Sequence, residues 1–125
     1  SMEFFEYIIS SNQETKFKLT KENLQLLKKV IYSLNLNTVD EIQQFVDKAT
    51  INAALANSQE VSIDDFAEVT TTSDYLEGRR IKKVHNTDPD VIIWISKSLE
   101  SKGYPKTQIA SLLGIHRNSY KNYAE

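Results

Sequence analysis

From Thr20 onward, apolar residues recur at steps of three and four between residues that cap helices, and this pattern restricts the fold more tightly than any other feature. Leu24, Leu27, Val30, Ile31 and Leu34 form one stripe after Thr20. Ile42, Val46, Ala49, Ala53 and Ala56 form a second, after a T-x-x-E capping box at Thr38 and Glu41. Such spacing turns one side of a helix toward a core and the other toward water. Met2–Ser10 is a short apolar stretch suited to open a helix, followed by a polar connection. Ser62 caps a short helix with Asp65 in its first turn, and Val61 and Phe66 are placed as a hydrophobic staple around that cap. Residues 1–70 therefore predict four helices.

The pattern lapses between Thr70 and Asp88. "TTTSDYLEGRRIKKVHNTD" is polar, lacks a sustained period and holds a basic cluster, which predicts a linker over 71–87 with at most a short helix. It is the expected site of first proteolytic cutting. Asp88 then caps a helix with Pro89 at its first position, where the missing N–H costs nothing. Its apolar residues are Val91, Ile92, Ile95 and Leu99, with Trp94 beside them, and it runs to a stop near Gly103.

The last stretch, "GYPKTQIASLLGIHRNSYKN", has a shape of its own. Pro105 favours a helix start, and Ile109, Ala110 and Leu113 make an inner face. Gly114 suits the positive φ of a tight turn, and Ile115 is an apolar plug after it. Tyr120 and Tyr123 then make the inner face of a last helix. A small residue inside the first helix, a glycine four residues on and an apolar residue after it form a helix-turn-helix pattern. With the helix from Pro89, this predicts a three-helix unit over 88–125. The expected fold class is all-α.

The outward residues of the last helix are His116, Arg117, Asn118, Ser119, Lys121 and Asn122. Arginine pairs with guanine and asparagine with adenine in the major groove, and serine reaches bases or phosphate. With few charges of its own, that helix needs phosphate contacts from its neighbours. Lys102 and Lys106, with Thr107, are the candidates in the preceding segments, and Arg79, Arg80, Lys82 and Lys83 in the linker. The alternative is a helical hairpin with a solvated polar face, and a linker cluster that is likewise only solvated.

Charge is distributed to match. Net charge is −2, but residues 79–125 hold nine Lys/Arg against four acids, while residues 1–78 hold six against thirteen. The second half attracts polyanions and the first repels them. Cysteine is absent, so disulfide and thiol chemistry are excluded. His85 and His116 lie far apart without ligand-like spacing, so no metal or other cofactor is expected. The longest apolar runs, such as "VIIWI", are too short to span a membrane. "SMEFFEYII" lacks the basic region and cleavage site of a signal peptide, and the expected location is the cytoplasm. No nucleophile–base–acid set is visible, so an enzyme is not expected.

"TQIASLLGIHRNSYKN" resembles the Fis-type helix-turn-helix that ends many bacterial enhancer-binding activators of the NtrC class. The residues that carry the resemblance are Ala110, Leu112, Leu113, Gly114, Ile115, Arg117 and Ser119. The helices of residues 1–70 are similar, less specifically, to the helical lid of an AAA+ ATPase. The resemblance implies a lid-like four-helix bundle over 1–70, a basic linker over 71–87 and a DNA-binding domain over 88–125. Two departures limit it. The family's nucleotide-contacting arginine is matched by Asp40, and the chain has no G-x-x-x-x-G-K-[ST] loop. Either the chain is the C-terminal piece of a larger activator with a divergent lid, or a lid-like bundle is reused for other contacts.

The expected function is sequence-specific binding of double-stranded DNA in transcription regulation, by a homodimer on paired half-sites. The second reading is a protein-interaction or oligomerisation module, in which the acidic N-terminal bundle docks a partner and Trp94, Phe4 and Phe5 are candidate interface aromatics.

Overall fold

Helix starts are decided locally in this chain. At Thr38, the side chain accepts from the N–H of Glu41 at 3.1 Å, and Glu41 returns a carboxylate to the N–H of Thr38 at 3.2 Å. Thr20 and Asn23 make the same reciprocal pair, and Asp88 caps the N–H of Asp90 ahead of Pro89. Ends are decided as locally. Asn35, Asn57, Gly103 and Gly114 all take positive φ. In each case the next residue's N–H bonds back to a carbonyl in the last turn, as from Leu36 to Ile31 and from Ser58 to Ala53. Asparagine tolerates the left-handed conformation, which explains how two helices stop without glycine.

The structure is a computed structural model and describes residues 2–76 and 88–115. The helices are α1 (Met2–Ser11), α2 (Lys21–Ser33), α3 (Val39–Leu55), α4 (Ile63–Thr70), α5 (Ser73–Leu76), α6 (Pro89–Ser101) and α7 (Lys106–Leu113). The described residues are thus mostly helical, as the periodicity predicts. They also contain a feature the all-α expectation lacks. β1 (Lys16–Lys18) and β2 (Glu60–Ser62) form a two-stranded parallel ladder, with Phe17 opposite Val61. Each strand runs straight into a helix cap, Thr20 for α2 and Ser62 for α4. The ladder therefore holds the starts of α2 and α4 side by side.

A single cluster of buried side chains runs through these elements. Phe5 and Ile8 of α1, Leu27, Val30 and Ile31 of α2, and Ile42, Phe45, Val46 and Ala49 of α3 contribute to it. The ring of Phe45 lies 5.4 Å from that of Phe66 and 5.6 Å from that of Tyr75, edge-on to the latter. Val91, Ile92, Ile95 and Leu99 of α6 belong to the same cluster and are fully buried. α6 packs on α2 and α4, so it does not stand apart from the first four helices.

Three sequence expectations change here. The stretch 71–87 does not begin as a linker, because Thr71, Tyr75 and Leu76 are buried and α5 carries the last two into the core. Ala56 leaves the second stripe, since it caps α3 and is exposed, while Phe45 joins the core. Phe5 is not an interface aromatic but a fully buried core residue. Phe4 and Trp94 are half-buried against the core.

Candidate nucleic-acid interface

The described part of the predicted DNA-reading unit is α6, α7 and the turn that ends α7. Ile109, Ala110 and Leu113 are buried, which turns α7 onto α6 as its apolar spacing predicts. Ala110 is 3% exposed, at the position where the sequence pattern asks for a small residue. Gly114 follows with φ 70°, and the N–H of Ile115 bonds the carbonyl of Ala110 at 3.0 Å. Ile115 is packed against the core. Helix, left-handed glycine and apolar plug thus stand in the predicted order.

The start of α7 has an unusual electrostatic make-up for this chain. Pro105, at its cap, has no side-chain acceptor, and Lys106, Thr107 and Gln108 are all exposed. Among the described helices, α7 alone has no acid in its first turn. The partial positive charge of a helix N-terminus is therefore left uncompensated beside the Lys106 ammonium. An anion reaching this turn meets free N–H groups, a hydroxyl and a cation.

Lys102 does not join that group. Its ammonium lies 3.3 Å from a carboxylate oxygen of Glu68 and donates to the hydroxyl of Thr71. It is a clasp between the end of α6 and α4, so in this arrangement its ammonium already has partners within the protein. At the other end of α6, Lys29 of α2 lies 3.3 Å from Asp88 and 3.1 Å from Asp90. The backbone N–H of Asp90, and after it Lys29, hold the Asp88 carboxyl below its usual range. Hydrogen bonds to Asp90 and then Asp88 raise Lys29 above its own.

Of the expected DNA-contacting residues, Lys106 and Thr107 are thus exposed side by side at the start of α7. His116, Arg117, Asn118, Ser119, Lys121 and Asn122, and the cluster Arg79, Arg80, Lys82 and Lys83, lie outside the described residues. Asp40 is exposed in the first turn of α3 and complements that helix's N-terminus. Among the described residues no group of three His, Cys, Asp or Glu side chains is placed to hold a metal ion, and no helix is long and apolar enough to cross a membrane.

Sequence reasoning missed a second surface. Ile51 and Leu55, one turn apart on α3, are 57% and 80% exposed. The signal was present, since neither residue falls on the stripe of Ile42, Val46, Ala49 and Ala53. Comparison with known proteins finds no matching family model, no matching curated protein and no matching solved structure.

Proposed function

We propose that this chain is a sequence-specific DNA-binding module of a transcription regulator, in which α7 approaches the phosphate backbone and the segment after Gly114 reads bases. The observation that carries the reading is the acid-free, cation-bearing start of α7, set one short helix ahead of a left-handed glycine turn. In a helix-turn-helix the first of the two helices crosses the backbone and the second enters the major groove. In this reading Lys106 and Thr107, exposed in the first turn of α7, make the backbone contacts. Arg117, Asn118 and Asn122 are the residue types that pair with bases, and Arg79, Arg80, Lys82 and Lys83 supply further phosphate contacts. The resemblance to the Fis-type end of NtrC-class activators, with a divergent AAA+ lid in front, supports the same assignment. So does the half-site logic that makes a homodimer the acting form.

Selection of bound sequences from a random DNA pool at two salt concentrations tests this. Enrichment of a palindrome that persists at the higher salt is the expected result, because charge contacts alone weaken steeply and carry no sequence preference. Binding without any enriched sequence would remove base reading. The reading as a protein-interaction module has its own support in the exposed Ile51 and Leu55.

A further inference from the structure

We infer that the groove between α3, α4 and α5 docks a basic amphipathic helix of a partner protein. Ile51 and Leu55 stand on its α3 wall, Val69 lines it from α4, and Lys48, Glu68 and Asp74 lie along its edges. Ile51 and Leu55 expose large apolar side chains one turn apart beside a groove, and this matches the spacing with which helix-in-groove contacts are made. The cavity measures about 250 Å³. That is below the range of roughly 300–1,000 Å³ typical of small-molecule sites, and it suits an anchoring side chain better than a free ligand.

Charge selects the partner. Between Asn37 and Leu76 the chain has eight acids and one base, Lys48. The net negative charge of the N-terminal half is thus concentrated in the layer that forms the groove. Asp40 and Asp47 on α3 and Asp64 on α4 are exposed along the same helices, outside the groove's own lining. Asp74 and Glu68 pair with Lys48 and Lys102, but their side chains are 77% and 54% exposed, and pairs so open to water are weak and leave carboxylate oxygens for a second cation. DNA and anionic membranes are repelled by such a surface. A second copy in a two-fold contact would set this acidic layer against itself. A helix with leucine-type anchors and flanking Lys or Arg meets both the apolar wall and the charged rim. Docking at this groove is independent of DNA reading by α7 and the segment after it.

The test uses the full chain, isotopically labelled, titrated with a synthetic leucine–lysine peptide whose leucines recur at i, i+3, i+4 and i+7, and read by NMR shifts. A scrambled peptide of the same composition and one with glutamate for lysine serve as controls. Shifts should concentrate on α3, α4 and α5. The double variant Ile51→Ser/Leu55→Ser, both sites being exposed, should keep the fold and weaken binding by about tenfold or more. Equal binding by either control peptide, shifts centred elsewhere, or undiminished binding by the double variant would overturn the inference. So would sedimentation showing that the double variant abolishes self-association, since the groove would then belong to a second copy.

Discussion

α4 and α6 are both built into the common core, but they are held in different ways. α4 is joined to α3 by the Phe45–Phe66 contact and by a part-buried polar pair. Asp65 accepts from the side-chain amide of Asn52 at 2.9 Å and, closing the start of α4, from the N–H of Ser62 at 2.8 Å. α6 is held by an apolar stripe, with charged clasps at its two ends where water reaches. Buried hydrogen bonds cost much when broken, because the abandoned partner stays dry. Exposed ion pairs cost little, because water replaces them. The position of α6, and of α7 which rests on it, is therefore set by the apolar stripe and not by the clasps.

The largest effects should come from the shared core. Phe45→Ala should cost about 3–5 kcal/mol and Leu99→Ala about 2–5 kcal/mol. Trp94, the single tryptophan, reports from α6, while circular dichroism reports from every helix. Both signals should move together to a lower midpoint in each variant. Two separate transitions would mean that α6 belongs to an independent unit and would break the comparison at its base.

Next is the polar lock on α4. Asp65→Ala leaves Asn52 and the N–H of Ser62 without their acceptor, and denaturant titration should show a loss of about 1–3 kcal/mol. A loss within error would place that network in water. α6 offers a change of opposite sign. The Ser96 hydroxyl is buried without a hydrogen-bond partner among the described residues. Ser96→Ala should raise stability by about 1 kcal/mol, and a clear loss would reveal a partner for the hydroxyl.

The smallest effect should be that of Lys29→Met. At neutral pH the unfolding midpoint should barely move, and the sensitivity of stability to pH should change at the extremes. Asp88 titrates below its ordinary value when folded, so its contribution is complete above the ordinary carboxylate range and fades as pH falls through the folded value. Lys29 titrates above its ordinary value, so its contribution is complete below that value and fades as pH rises through the folded one. The variant should lose the Lys29 dependence entirely and the Asp88 dependence only in part, because the N–H of Asp90 still holds that carboxyl down. A large loss at neutral pH would show that the clasp, not the stripe, seats α6.

Which parts of this could be read in the sequence follows from range. Caps at Thr20, Thr38, Ser62 and Asp88 depend on neighbours three residues away or fewer, and the stripes of α2, α6 and α7 are legible because burial leaves a period. The αL stops at Asn35 and Asn57 are hard to read, because asparagine marks such a stop less strongly than glycine does. The β1–β2 ladder was illegible, since three-residue strands carry no period and their partners are far apart in the chain. An apolar stripe announces that α6 is buried without naming α2 and α4 as its partners, which is why Lys102 looked free for phosphate. Lys106 and Thr107 are legible as the exposed start of a helix because Pro105 fixes where that helix begins.

Fluorescence anisotropy on the selected DNA site and on random DNA, with Lys106→Ala and Arg117→Ala compared at two salt concentrations, tests the DNA-reading account most directly. Lys106→Ala should weaken both DNAs about equally and lower the salt slope by roughly one unit. Arg117→Ala should cost ~1–3 kcal/mol on the selected site and much less on random DNA. Equal losses on both DNAs for Arg117→Ala would remove it from base reading, and a chain that binds neither DNA above background would contradict the account.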